Sequence, residues 1–226
     1  MIKAVIFDMY ETLITHYDSP LYFSMHMAAD AGIPVEEFQA LWMPTDTERT
    51  IGQLSFEDAI RDILKKTNRY SDELLNNMIT KRIAIKRDCF EHLHPEIIPM
   101  LTRLKEQGMK IGLISNCFSE EAIVIRESIL FPYFDAVYLS YEQGVKKPNP
   151  EIFIRCMNEL QVEEEECVFV GDGGSQELDA SRVLGMKPLQ AIWYFKEDSL
   201  HRIKPMDEYD QLKCPLEIFD FIFPEK

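Results

Sequence analysis

Four places in the 226-residue sequence carry groups able to do chemistry, and each follows a short apolar run. Ala4-Val5-Ile6-Phe7 ends on Asp8, with Tyr10 and Thr12 just beyond. Ile111-Gly112-Leu113-Ile114 ends on Ser115-Asn116. The run from Ala136 to Leu139 leads, after a short loop, to Lys146-Lys147-Pro148. Val168-Phe169-Val170 ends on Gly171-Asp172-Gly173-Gly174-Ser175-Gln176-Glu177. In an open α/β sheet, ligands sit beyond the carboxyl ends of the strands, so these groups converge on one crevice. A carboxylate, a hydroxyl, an ammonium and a second carboxylate placed together suit an anionic substrate. A cation held by the carboxylates reverses the local field, and the hydroxyl and ammonium hold the anion's oxygens.

The elements that position these groups are legible from the apolar pattern. Ala4 to Phe7, Lys110 to Ile114, Ala136 to Leu139, Cys167 to Val170 and Leu189 to Trp193 are near-continuous apolar segments. Strands covered on both faces of a parallel sheet have this composition. Between them, Glu96 to Gln107, Glu120 to Leu130, Pro150 to Leu160 and Gln176 to Leu184 have helical length and period. Gly108 and Gly185 follow the first and last of these. The alternation predicts an α/β fold, a doubly wound Rossmann-like parallel sheet. Residues 16–88 contain no strand pattern. Helical periods cover Tyr22 to Ala31, Val35 to Leu41, Phe56 to Lys66 and Asp72 to Ile85, with Ser55 and Ser71 as N-caps. The expected organisation is therefore an α/β core of 1–15 and 89–226 with an inserted α-helical bundle cap of 16–88.

Several side chains have two readings. Phe38, Trp42 and the Met25/Met27 pair fall at helical spacing, and core packing within the cap is their first explanation. His92 and His94 are expected at the surface. Arg49, near Gly52, is either a surface salt-bridge partner or a group reaching a substrate anion. The acidic run Glu163 to Glu166 is expected to be a solvated loop before a strand.

Composition excludes whole classes. Lys plus Arg number 24 against 39 Asp plus Glu, a formal net charge of −15. Nucleic acids and anionic membranes recruit through Lys/Arg excess, so neither is an expected partner. Cys89, Cys117, Cys156, Cys167 and Cys214 are dispersed and odd in number, which suits reduced thiols in a cytoplasmic protein. The first apolar run is broken by Asp8, too early for a secretory segment. No apolar stretch reaches the roughly 18 residues of a membrane span. No oligomeric state follows from the sequence.

The four segments together resemble the motifs of the haloacid dehalogenase (HAD)-like hydrolases, in the branch with a helical cap inserted after the first strand. Phe7-Asp8-x-Tyr10-x-Thr12-Leu13 matches the first motif and Ser115-Asn116 the second. Lys147-Pro148-x-Pro150-x-Ile152-Phe153 matches the third, and Gly171-Asp172 with a downstream acid the fourth. The match runs from residue 1 to about 195. The resemblance implies a Mg²⁺-dependent phosphatase acting on a small phosphorylated metabolite. In that family pattern Asp8 is the nucleophile, forming an aspartyl-phosphate. Asp8, the backbone carbonyl of Tyr10 and Asp172 hold the metal. Glu177 stands where an Asp usually supports or ligates it, with Asp179 nearby at a less suitable spacing. Lys147 is the cation beside Asp8, Ser115 and the amides after Asp8 bind phosphoryl oxygens, and Thr12 and Asn116 complete the catalytic motifs.

One position departs from the pattern. Similar phosphatases carry a second Asp where this chain has Tyr10, and a phenol of pKa about 10 is a poor proton acceptor near pH 7. The 2-haloacid dehalogenases of the same family also have Tyr there, because halide leaves without a proton. They resemble this chain less at Asp172, since they need no metal and lack the Gly-Asp of the fourth motif. A second carboxylate beside Asp8 without a cation would repel an anionic haloacid. Phosphoryl chemistry is therefore the expectation, with dehalogenation as the alternative. A catalytically weakened binding protein on the same scaffold is a third reading, supported by Tyr10 alone.

Overall fold

The computed structural model describes residues 1–197 and 204–223. Its centre is a six-stranded parallel sheet in the order β3-β2-β1-β4-β5-β6. The strands are β1 (Ala4–Phe7), β2 (Lys110–Ser115), β3 (Ala136–Leu139), β4 (Cys167–Gly171), β5 (Lys187–Ala191) and β6 (Asp210–Leu212). The chain winds outward from β1 through β2 to β3, then crosses back to place β4 on the other side of β1. That reversal puts a topological switch between β1 and β4, where a crevice opens at the carboxyl ends. Asp8 and Asp172 are the residues that leave those two strands.

Strand alternation sorts the core into two layers. Val5 and Phe7 face one side with Leu113 and Val170, under α6 (Ile97–Glu106), α7 (Ser119–Glu127) and α11 (Ile218–Ile222). Ala4 and Ile6 face the other with Phe169, under α9 (Pro150–Leu160) and α10 (Glu177–Val183). The short α8 (Ser140–Gln143) follows β3 directly. Gly108 ends α6 with a φ of +72°, a backbone state that costs glycine least.

Between β1 and α6 lie five α-helices, α1 (Ser24–Ala31), α2 (Val35–Trp42), α3 (Asp46–Thr50), α4 (Phe56–Lys66) and α5 (Asp72–Asp88). Of these, α1, α2, α4 and α5 share their own apolar cluster, built around Phe38, Trp42, Phe56, Ile60, Leu64 and Met78. Ser55 Oγ accepts from Asp58 N at 3.0 Å and Ser71 Oγ from Leu74 N at 3.1 Å, so both caps form. Met27 is buried, but Met25 is exposed, because residues two apart on a helix point to different sides. His92 is exposed, whereas the His94 ring packs edge-on against Tyr194. Glu164–Glu166 form one 3₁₀ turn rather than a loop, and Glu166 pairs with Lys3. The fifth strand stops at Ala191, short of Trp193. β6, three residues led by Asp210 at the sheet edge, has no apolar run to announce it.

The helical layer is fastened to the core by a buried ionic seam. Arg82 on α5 donates from Nε to Glu120 Oε1 at 3.0 Å and from Nη2 to Glu121 Oε1 at 3.3 Å, both on α7. Its Nη1 donates to the Tyr22 carbonyl at 2.7 Å. Lys86, one turn further along α5, pairs with Glu121. All four charged residues are buried. Breaking one partner of such a cluster strands the others in low dielectric. Arg82→Met is therefore expected to lower unfolding free energy by about 3–5 kcal/mol. Urea denaturation measures it, and a loss below about 1 kcal/mol would mean the seam is hydrated.

Candidate active site

Asp8 emerges from β1 into a tight loop held from several sides. Its own N–H donates to Val170 O at 2.9 Å, which continues the β1–β4 ladder by one residue. Leu13 N and Ile14 N both donate to Met9 O, closing the turn. Glu11 takes a φ of +58°, an uncommon state outside glycine, and its carboxylate accepts from Thr15 Oγ1 at 2.6 Å and His16 N at 3.0 Å. From across the sheet, Trp193 Nε1 donates to Thr12 O at 2.8 Å and the Tyr194 hydroxyl to Leu13 O at 3.2 Å.

The Asp8 side chain is almost fully buried. Its Oδ1 accepts from Met9 N at 2.7 Å and meets Lys147 Nζ at 2.6 Å. Burial pushes its pKa up to about 6, the Lys147 ammonium opposes that rise, and Glu177 adds to it. Lys147 is placed by Asn116, whose amide brackets its backbone. Asn116 Nδ2 donates to Lys147 O at 3.0 Å, and Lys147 N donates to Asn116 Oδ1 at 2.8 Å. Both polar ends of the Asn116 amide are therefore engaged in holding Lys147.

Asp172 and Glu177 complete a three-carboxylate group with Asp8, their nearest oxygens all within 4.8 Å of one another. The Asp172 carboxyl is pushed well above its ordinary range, first by burial and then by Glu177 and Asp8. Glu177, wholly buried, accepts from Gly173 N at 2.6 Å on one oxygen and from Ser175 N at 2.7 Å on the other. It thereby ties the loop that presents Asp172, whose Oδ1 accepts from Gly174 N at 2.9 Å. Gly171 is required here, because a Cβ would lie 2.6 Å from Glu177 Oε1. Asp179 lies outside this group and bonds Arg182 and the Tyr209 hydroxyl. Three neighbouring carboxylates against one ammonium leave a net negative charge in a desolvated place. An all-oxygen set of this kind suits a hard divalent cation such as Mg²⁺.

Two hydroxyls beside these groups are buried and have no hydrogen-bond partner among the described residues, Ser115 Oγ at the tip of β2 and Thr12 Oγ1. Buried hydroxyls are almost always satisfied, so a ligand with acceptor oxygens fits this end of the crevice. A crevice of about 480 Å³ adjoins these groups through Lys147, lined also by Thr50, Asn116, Phe118, Glu121 and Ser175.

Tyr10 points away from a simple acid–base role. Its ring stacks on His16 with centroids 4.4 Å apart, and Lys86 Nζ lies 5.0 Å from the ring centre. The hydroxyl is buried without a partner among the described residues. Burial and the nearby Glu121 carboxylate push the phenol pKa further up.

Sequence periodicity did not reveal His16, Arg82, Lys86, Glu120 or Glu121, all grouped around Tyr10 or the seam. Nor did it reveal Gln190, buried in β5, whose Nε2 donates to Asp172 O at 2.9 Å and steadies that loop. A lone amide inside an otherwise apolar strand was the available signal. Arg49 is not a surface residue: its side chain is 1% exposed, against 54% for its ion partner Asp46.

A model of the haloacid dehalogenase-like hydrolases matches residues 2–185. The chain is 26% identical to a glyceraldehyde 3-phosphate phosphatase of Methanopyrus kandleri, across 98% of this chain and 97% of that one. It is 27% identical to the protein of the same name from Methanocaldococcus jannaschii, across 82% and 83%. Among solved structures, a HAD phosphatase from Thermococcus onnurineus superposes with a TM-score of 0.64 at 22% identity, covering 99% of each chain. A 2-haloacid dehalogenase from Pseudomonas syringae pv. Tomato DC3000 superposes at 0.69 with 19% identity, covering 96% of each. At these identities the superpositions establish a shared fold.

Proposed function

This chain belongs to the haloacid dehalogenase-like hydrolase family, and from that premise we propose that it is a Mg²⁺-dependent phosphatase of small phosphorylated metabolites. The observation that carries the proposal is the Asp8, Asp172 and Glu177 carboxylate group with the Lys147 ammonium on Asp8. Residues 1–15 and 89–226 would form the catalytic core and 16–88 the cap that encloses the leaving group.

Asp8, Asp172 and the carbonyl of Tyr10 would hold the ion, with Glu177 bracing the Asp172 loop. Bound Mg²⁺ supplies the positive charge that lets a carboxylate approach an anionic ester. Asp8 would attack phosphorus in line, forming a bond from its carboxylate oxygen as the ester P–O bond breaks, and the departing alkoxide would take its proton from solvent water. Lys147 would stabilise the charge on the transferring group, and Ser115 and Thr12 would donate to its oxygens. Water then attacks the aspartyl-phosphate, returning Asp8 and releasing inorganic phosphate.

A second reading, 2-haloacid dehalogenation, is favoured by Tyr10 alone. One experiment separates the two: a panel of phosphate monoesters and chloroacetate, each with Mg²⁺ and with EDTA. The proposal expects phosphate release that EDTA stops, and glyceraldehyde 3-phosphate is the first ester to try, given the relatives' names. EDTA-resistant halide release without phosphate release would instead establish the dehalogenase.

A further inference from the structure

The buried amide of Gln190 joins two stretches of chain far apart in sequence, the loop that presents Asp172 and residues 204–206. The β4–β5 pairing ends at Gly171 and Gln190, so the Asp172 carbonyl lies one residue past the last pair. The Gln190 side chain supplies the donor that the ladder no longer gives, from Nε2 to Asp172 O at 2.9 Å. The same Nε2 donates to Lys204 O at 3.0 Å, and Oε1 accepts from Met206 N at 2.8 Å. Both N–H donors and the oxygen of this amide, in a residue only 1% exposed, are therefore in use.

Gln211 extends the arrangement by one strand. It stands in register with Gln190 on β6, and its Nε2 donates to Met206 O at 3.0 Å. The backbone on both sides of Met206 is thus held by two glutamines from neighbouring strands. Met206 in turn covers the loop, since a Cβ on Gly173 would lie 2.7 Å from its Cε and 3.4 Å from its Sδ. Glu177 grips the loop from within, while Gln190 and the Met206 thioether hold it from the sheet edge. Electrostatics gives this restraint a purpose. Asp172 shares its place with Asp8 and Glu177, all within 4.8 Å, and like charges at that spacing drive a mobile carboxylate away. A fixed backbone keeps it in place and spares an arriving cation the cost of gathering its ligands.

We propose that Gln190 is a positioning residue for the metal site: through it, residues 204–206 fix the Asp172 loop and set the affinity for Mg²⁺. The inference rests on the Mg²⁺ site of the phosphatase proposal, and it extends the support of that site to β5, β6 and the segment between them.

Titration of EDTA-stripped protein with Mn²⁺, followed by electron paramagnetic resonance, reads the site without any ester. Gln190→Met keeps the length of the side chain and removes its bonds, and it should raise the Mn²⁺ Kd about tenfold or more. Gln211→Met and Met206→Ala leave the Gln190–Asp172 bond in place, and each should raise the Kd about threefold. In ester hydrolysis, the Mg²⁺ needed for half-maximal rate should shift by the same factors. Excess Mg²⁺ should then restore turnover, with the ester KM within about twofold of wild type. Rescue by excess metal separates a loosened metal loop from a general loss of structure. Variants with lower melting temperatures but the wild-type Mn²⁺ Kd would make the two glutamines structural and overturn the proposal. If Gln190→Met does not fold, the other two variants decide: a weaker Kd in either supports the proposal, and the wild-type Kd in both overturns it. Wild-type protein that binds no Mn²⁺ would remove the metal site of the phosphatase proposal and this inference with it. Wild type and variants that bind equally tightly would remove this inference alone.

Discussion

Exchanging Asp8 for Asn is expected to lower phosphate-ester turnover by about 10³-fold or more, because a carboxamide oxygen is a far weaker nucleophile than a carboxylate. The substitution keeps the shape of the side chain and its bond from Met9 N, so the fold should survive, as circular dichroism would check. It also weakens the ion pair with Lys147, yet Lys147 keeps Asp172 and Glu177 in the same acidic neighbourhood. The sharper readout is covalent. Acid quenching during turnover of a ³²P-labelled ester should leave label on the wild type and none on Asp8→Asn. A variant retaining a tenth of wild-type kcat would mean that another group attacks phosphorus.

The second large effect separates activity from stability. Asp172→Asn removes one carboxylate from a place where three are crowded, so in EDTA the variant should melt at the same temperature as the wild type or higher. Its ester turnover in Mg²⁺ should nevertheless fall by about 10²-fold or more, because the remaining donors hold the ion poorly. The pH dependence of the metal-free wild type has a matching sign. Asp8, raised to about 6, and Asp172, raised well above its ordinary range, both bind protons more tightly folded than unfolded. Their contribution to stability is fully present below about pH 4 and is lost as pH rises through 6. A variant that melts lower than the wild type in EDTA would show that Asp172 serves the fold rather than a metal.

The candidate site was legible because parallel strands write their ends into the sequence. Each apolar run stops where a polar group emerges at the sheet's carboxyl edge, so Asp8, Ser115 and Asp172 could be found before any coordinates. Lys147 sits beyond a loop, and its link to the site depends on Asn116, which periodicity cannot show. The seam was invisible for a different reason. Arg82 and Lys86 lie four apart on a long polar helix, where charges are usually solvated, and only packing against Glu120 and Glu121 buries them. Of the two readings of Arg49, burial removes the surface salt bridge, which the sequence could not show because its aromatic neighbours come from two separate segments, α2 and the β2–α7 turn. Tyr10 was recognised as unusual from its position, but its stacking on His16 and proximity to Lys86 emerge only from the fold. Local sequence therefore specified the strand tips, and tertiary contacts decided which charges are buried between layers.

The most direct measurement is the rate of phosphate-ester hydrolysis as free Mg²⁺ is titrated into protein stripped with EDTA. Negligible hydrolysis at the start, restored along a saturable curve that Asp172→Asn shifts to higher Mg²⁺, is the expected result. A full wild-type rate in EDTA, unchanged by added Mg²⁺, would contradict the idea that Asp8 and Asp172 work around a shared cation.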